Sequence, residues 1–242
     1  MNPSGRLALP GREAYRTRWA QLHGGFDPQA SRPAAVWLTL VESAARPLAR
    51  RGISPDTLTG LGVLLAAAAP VGARGRGRWR LAAAGAVVAS GFFDGLDGSV
   101  AVLSGAESDW GFVLDSLADR ASDGFQVLAL RAAGAPAPLG AAAGAGILAL
   151  EYARARAAAA GFDDIGTITA GERPIRVGVV ASTLLAAAIS PYFARVFATA
   201  GAVAVAGLSA AGTVQFLRGA ARRLQGQAVS AAASGGADQA RD

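Results

Sequence analysis

The chain has 242 residues, of which 52% are hydrophobic and only 17% are charged, so it can form a large apolar core but resembles no ordinary soluble domain. It contains no cysteine, which excludes disulfides, thiolate zinc sites and cysteine nucleophiles. The net charge of +6 comes from arginines that flank apolar segments, a distribution that favours a membrane protein over a nucleic-acid-binding protein.

The first elements in chain order are a polar tail and a helix on the membrane surface. Residues 1–33 form the polar N-terminal tail. Residues 34–49 combine Trp37 and Val41 with Glu42, a mixture typical of an amphipathic helix that lies on a membrane instead of crossing it.

Six apolar windows then come close to the roughly 20 residues that are needed to cross a bilayer. Ser54 and Pro55 suit the N-cap and the first helical position of the first window. We therefore predict an all-α polytopic membrane domain over 34–220, with six transmembrane helices, and a disordered polar tail over 221–242. The windows cover 55–73, 81–103, 110–132, 137–158, 175–190 and 193–217.

The arginine distribution predicts that the N-terminus is cytoplasmic. In that orientation sixteen arginines lie on the cytoplasmic side and six on the opposite side. The segment 74–80 runs against this rule, because it places four arginines outside.

Four aspartates in the second and third windows are the strongest functional signal. Asp94 and Asp97 lie three residues apart, and Asp115 and Asp119 lie four apart, so each pair shares one helix face. Because a short loop joins the two windows, the helices are expected to be antiparallel neighbours with both pairs facing one space. An aspartate costs on the order of 3 kcal/mol at the centre of a membrane helix, and Arg120 alone cannot neutralise four of them.

Such a cluster of carboxylates suits hard cations such as Mg²⁺ or Mn²⁺. Two of these ions side by side assist displacement at phosphorus, and one carboxylate could accept the proton of an attacking hydroxyl. The pattern therefore predicts a membrane-embedded, metal-dependent phosphoryl-type transfer. Intramembrane carboxylates also mark ion pathways, so a small transporter or a non-enzymatic cation-binding protein is the alternative.

The same residues resemble the signature of the CDP-alcohol phosphatidyltransferase family, D-x2-D-G-x2-A-R followed by G-x3-D-x3-D. One position departs, because Val102 stands where the family has an arginine that contacts the phosphates of the nucleotide-linked substrate. The resemblance extends over about 35–220 and is greatest to phosphatidylinositol phosphate synthases. Seven positions agree in order and spacing, namely Asp94, Asp97, Gly98, Ala101, Gly111, Asp115 and Asp119.

The resemblance implies a role for each group of residues. Asp94, Asp97 and Asp115 would ligate two divalent ions, Mg²⁺ or Mn²⁺, on the donor pyrophosphate. Asp119 would share a metal and act as the general base, while Asp123 is expected to support the site or pair with Arg120. The donor nucleotide would lie against Asp56, Thr59, Gly98, Ala101, Ser108 and Gly111. The acceptor phosphate would bind Arg154, Arg173 and Arg176, although a positive-inside loop also explains these arginines.

The implied reaction belongs to phospholipid biosynthesis. A phosphatidyl group would pass from CDP-diacylglycerol to a hydroxyl of a small polar alcohol, releasing CMP. An inositol phosphate is the first expected acceptor and glycerol 3-phosphate the second. The enzyme would be a multi-pass protein of the plasma membrane, with a cytoplasmic active site and no nucleic-acid partner. Family members are often homodimers, so a homodimer is the assembly expected by analogy.

Overall fold

The computed structural model describes residues 9–22, 27, 31–162 and 168–238, and within these residues every regular element is helical. A helix occupies the predicted surface segment and each of the six predicted windows. The helices are α1 (Arg12–Leu22), α2 (Arg32–Arg50), α3 (Pro55–Ala73), α4 (Arg78–Ser104), α5 (Asp109–Ala133), α6 (Ala137–Ala159), α7 (Arg173–Ile189) and, after a 3₁₀ turn over Pro191–Phe193, α8 (Ala194–Asp238).

Three segments of the described chain are long and apolar enough to cross a membrane. They are Pro55–Ala73, Arg78–Ser104 and Pro191–Leu224. Their length and composition indicate a membrane protein, as the sequence predicts.

Local signals fix the ends of the helices that carry the aspartates. The Ser54 hydroxyl accepts a hydrogen bond from the Thr57 backbone N–H at 3.2 Å and so caps α3. Ser108 caps α5 in the same way, with the Gly111 backbone N–H as donor at 3.0 Å. Gly105 ends α4 with a φ of 66°, which glycine adopts without strain. The short connection between Gly105 and Ser108 turns the chain back, so the acidic end of α4 lies near the start of α5.

Two apolar clusters hold the helices together. The larger cluster contains residues of all six helices from α3 to α8, among them Val87, Leu130 and Leu184. The smaller joins α1, α2 and α3 to the second half of α4. Asp94 and Asp97 line a cavity where α3, α4, α5 and α7 converge.

The helix α1 was not predicted, because the tail that contains it is polar. Tyr15 is fully buried, and its hydroxyl shares a hydrogen bond of 2.8 Å with that of Ser99 on α4. Arg18 contacts Glu107 at 2.9 Å. The part of the predicted tail over 1–8 lies outside the described residues.

In α2 one expectation also changes. Glu42, which the amphipathic pattern places on a polar face, is buried and pairs with Arg46 at 2.7 Å. Arg12 and Arg16 of α1 approach the same carboxylate at 3.9 and 4.0 Å. From sequence alone an acidic side chain is expected to face solvent. In the structure the Glu42 carboxylate instead connects α1 to α2.

The end of the chain differs from the predicted disordered tail over 221–242. Helix α8 continues to Asp238, and only 239–242 lie outside the described residues. Alanine, the best helix former, is frequent in this segment and favours continuation of the helix.

Candidate active site

Three of the four predicted aspartates come together between α4 and α5. Asp94, Asp115 and Asp119 each offer a carboxylate oxygen, and these three oxygens all lie within 4.8 Å of one another. The side chains are partly buried, so water screens their mutual repulsion only in part. Three oxygen ligands at this separation match the donor chemistry of a hard divalent cation. We refer to these three residues as the acidic cluster.

The fourth aspartate, Asp97, is held apart from the acidic cluster by its own hydrogen bonds. It is 4% exposed, and its Oδ2 accepts a hydrogen bond from the Thr59 hydroxyl at 2.6 Å. Its Oδ1 accepts from the Gly98 backbone N–H, also at 2.6 Å. Asp97 nevertheless lines the same cavity as Asp94 and Arg173.

Arg173, a predicted acceptor residue, lies within the acidic cluster. Its Nη1 contacts the carboxylates of both Asp94 and Asp119, the second at 2.5 Å. The side chain is 13% exposed, and its Nε lies 3.9 Å from Oδ1 of Asp123. The first residue of α7 thus provides a positive charge between two aspartates on α4 and α5.

A second, buried network of ion pairs connects α5, α6 and α7. Arg176 is 1% exposed and reaches Asp123 at 3.0 Å and Glu151 at 3.4 Å. Arg176 also donates to the Gly171 backbone carbonyl. Arg120 contacts Glu151 at 3.1 Å and Asp123 at 3.3 Å, so the expected pairing of Asp123 with Arg120 is present. Glu151 was not predicted from the sequence, because it is a single acidic residue in the second half of an apolar helix.

The third predicted acceptor arginine, Arg154, lies at the junction of α6 and α7, and its Nη1 is also 3.8 Å from Glu151 of this network. Arg154 donates to Glu172 at 2.5 Å and to the Thr169 hydroxyl at 3.0 Å. Burial would raise the pKa of Glu172, but the hydrogen bonds from the Thr169 backbone and Arg154 outweigh it and hold that pKa below its usual value. Each of the three predicted acceptor arginines therefore has a carboxylate partner in this structure.

The residues predicted to face the donor nucleotide fall into two groups. Thr59 and Gly98 contact Asp97 directly. Ser108 and Gly111 form the cap of α5, while Asp56 is exposed in the first turn of α3 and Ala101 is half-buried on α4.

Val102, at the position where the family signature has arginine, is a core residue. It is 9% exposed and belongs to the apolar cluster that contains Tyr15 and Leu38. The side chain therefore packs among apolar residues of α1 to α4.

Comparison with known proteins identifies the class. The family model of CDP-alcohol phosphatidyltransferases matches residues 53–214, and the chain belongs to this family. It is thus a transferase of substituted phosphate groups, a membrane enzyme of phospholipid biosynthesis. This membership decides against the transporter and the non-enzymatic alternatives.

Two solved structures of the phosphatidylinositol phosphate synthase of Mycobacterium tuberculosis resemble the chain. One, in complex with manganese and citrate, has 27% sequence identity and a TM-score of 0.59, covering 74% of this chain and 88% of that one. The other, with CDP-DAG bound, has 27% identity and a TM-score of 0.58, covering 75% and 94%. A search of curated protein sequences gives no match.

Proposed function

We propose that this enzyme transfers a phosphatidyl group from CDP-diacylglycerol to a hydroxyl of a small phosphorylated alcohol, and that CMP is released. The observation that carries the proposal is the convergence of Asp94, Asp115 and Asp119 at the positions of the family signature. The CDP-DAG complex of the mycobacterial synthase supports this choice of donor.

The acidic cluster fits divalent cations by its chemistry. Its donors are carboxylate oxygens alone, within reach of a common point, which is the set that Mg²⁺ and Mn²⁺ prefer. We propose that Asp94, Asp97, Asp115 and Asp119 hold two such ions, with Asp97 joining from the adjacent wall of the cavity. Bound there, the ions would neutralise the pyrophosphate of the donor and the charge that develops on its leaving oxygen. The manganese in the mycobacterial structure supports this assignment.

Asp119 is our candidate for the general base. Its carboxylate lies near the middle of α5 and belongs to the acidic cluster, and an acceptor hydroxyl within hydrogen-bond distance could pass its proton to it. The acceptor oxygen would then form a new P–O bond to the phosphatidyl phosphorus. The phosphoanhydride P–O bond breaks on the other side, and its electron pair leaves with CMP.

The donor nucleotide is proposed to lie along α4 between the start of α3 and the start of α5. A Cβ added at Gly98 would meet nothing within 4 Å, so packing within the protein does not require glycine there. Close approach of a ligand to the backbone gives a reason for it. Thr59 orients Asp97, and Asp56, Ala101, Ser108 and Gly111 complete the proposed surface.

We assign the acceptor phosphate to Arg154, Arg173 and Arg176, with an inositol phosphate as the first candidate and glycerol 3-phosphate as the second. A guanidinium offers paired N–H donors that suit phosphate oxygens. Arg173 is the best placed of the three, since it already lies beside the proposed base. Arg176 is buried and contacts Asp123, Glu151 and the Gly171 backbone carbonyl, so its proposed part in the acceptor site is mainly structural support.

The proposed arrangement in the membrane follows from the helix order. Six crossings by α3 to α8, with α2 on the surface and a cytoplasmic N-terminus, place the loop between α4 and α5 on the cytoplasmic side. The acidic cluster then opens to the cytoplasm of a plasma-membrane enzyme. We further propose a membrane domain over 34–220 and a homodimeric assembly.

The experiment that tests the proposal is CMP release by the purified protein in liposomes that contain CDP-diacylglycerol and Mn²⁺. The acceptor panel is inositol phosphate, inositol, glycerol 3-phosphate and serine. We expect release with inositol phosphate above all. Release with glycerol 3-phosphate alone would move the assignment to the second candidate, and folded protein that releases no CMP with any acceptor would contradict the proposal.

A further inference from the structure

The position of Arg173 conflicts with the proposed contents of the site. Its Nη1 contacts Asp94 and Asp119 simultaneously, and both residues belong to the acidic cluster. A divalent cation binds carboxylate oxygens at about 2.0–2.6 Å. An N–H group at hydrogen-bond distance from both carboxylates occupies the space between them, and two positive groups at that point would also repel each other. The guanidinium and a cation thus compete for the same carboxylates.

The structure also offers Arg173 a second partner. Its Nε has no hydrogen bond, and neither has Oδ1 of Asp123, although both atoms are buried. The two atoms lie 3.9 Å apart, about 1 Å beyond hydrogen-bond distance. A small rotation of the Arg173 side chain toward Asp123 would satisfy both atoms. The same movement would withdraw Nη1 from Asp94 and Asp119.

We propose that Arg173 is the counter-cation of the metal-free acidic cluster and exchanges to Asp123 when the cluster takes a divalent ion. Metal occupancy and the position of this guanidinium are then one coupled equilibrium. The inference rests on the proposed function, since it concerns the same site. It adds an order to the reaction, because Arg173 can offer Nη1 to an acceptor phosphate only after this group has left the two aspartates.

The coupling has a measurable consequence in the absence of any substrate. If Arg173 competes with the ion, removal of its charge must strengthen ion binding, since each of two mutually exclusive ligands lowers the apparent affinity of the other. An arginine that lies away from the two aspartates gives no such effect.

The test is Mn²⁺ binding to the purified full-length protein in detergent, measured by the electron paramagnetic resonance signal of free Mn²⁺. We expect Arg173→Gln to lower the Kd for Mn²⁺ by about tenfold or more, because a buried cation beside two ligands is removed. Arg195→Gln is the matched control. It loses the same charge, but Arg195 is exposed in the first turn of α8 and has no acidic partner among the described ion pairs, so its Kd is expected to stay within about twofold of the wild type.

A third variant covers the case in which Arg173→Gln fails to fold. Arg173→Lys keeps the charge on a shorter, single-point donor, and it is expected to bind Mn²⁺ with an affinity between those of the wild type and the Gln variant. If neither Arg173 variant binds Mn²⁺ more tightly, or the Arg195 control gains as much, the counter-cation role is wrong while the proposed function stands. Folded wild type that binds no Mn²⁺ would overturn both.

Discussion

Charge balance around the acidic cluster supports the proposal that the site binds a cation from outside the chain. The cluster and the ion pairs connected to it contain seven carboxylates, and four arginines contact them. Four guanidinium groups balance four carboxylates and leave three uncompensated in a half-buried place, which is costly unless a further cation is bound. The carboxylates are those of Asp94, Asp97, Asp115, Asp119, Asp123, Glu151 and Glu172, and the arginines are Arg120, Arg154, Arg173 and Arg176.

At the residue scale, Asp115 is the cleanest probe of this balance, because it belongs to the acidic cluster without contacting Arg173 in the described ion pairs. Asp115→Asn should weaken Mn²⁺ binding and reduce CMP release by about a hundredfold or more. Both are measured on protein with an unchanged thermal midpoint. Asp109→Asn, exposed in the first turn of the same helix, is the control that should keep both within about twofold. Equal losses in the two variants would show that the cluster has no special role.

Val102 tests whether the departure from the family signature can be reversed. Val102→Arg restores the signature residue, yet it places a cation in the apolar cluster with Tyr15 and Leu38. We expect the variant to lose about 3 kcal/mol or more of stability and to gain no donor affinity. Thermal unfolding in detergent measures the first effect, and Val102→Leu is the size control. A stable Arg variant that binds CDP-diacylglycerol more tightly would contradict this placement.

At the scale of elements, the start of α7 is fixed by an acid at its N-cap. Glu172 accepts from Arg154 on α6 and from the backbone of Thr169, and so joins α6 to the helix that carries Arg173. Its pKa in the folded protein is lowered from an ordinary value of 4.5. The ionised carboxylate therefore stabilises the fold fully above that value, and this stabilisation is lost as pH falls through the folded pKa.

The matching prediction concerns acid sensitivity. Between neutral pH and pH values below 4.5, the thermal midpoint of the wild type should fall more steeply than that of Glu172→Gln. Other carboxylates titrate in both proteins, so the difference between the two curves isolates Glu172. Parallel curves would mean that Glu172 is equally acidic in the folded and unfolded states.

Helix positions could be predicted from sequence more fully than contacts could. Apolar windows and the caps at Ser54 and Ser108 define α3 and α5, because these signals are local. The burial of Tyr15 and Glu42 could not be predicted, since a polar helix is buried only if a distant partner is present. The aspartate spacing predicted a shared face, but not that Asp97 is turned to Thr59.

The partners of the three predicted acceptor arginines could not be predicted from sequence either. The positions of the arginines near the end of α6 and at the start of α7 agree with a phosphate pocket, but their partners depend on three helices at once. Glu151 and Asp123 determine where Arg176 points, and nothing local in the sequence marks those two acids as its partners.

At the scale of the whole molecule, the proposed topology makes a prediction that the absence of cysteine renders easy to test. Single cysteines introduced as Arg76→Cys and Ala106→Cys lie in short exposed loops at opposite ends of α4. In intact cells, a membrane-impermeant maleimide should label the first and spare the second. Both should react after permeabilisation. The reverse labelling would place the acidic cluster outside the cytoplasm and exclude the proposed location.

The central claim is that Asp94, Asp115 and Asp119 hold a divalent cation beside the phosphoanhydride of the donor. The most direct measurement is anomalous diffraction at the manganese edge from crystals grown with Mn²⁺ and CDP-diacylglycerol. We predict a manganese peak between these three carboxylates, next to the pyrophosphate. A bound donor with no manganese there, or with the three carboxylates turned away from it, would contradict the account.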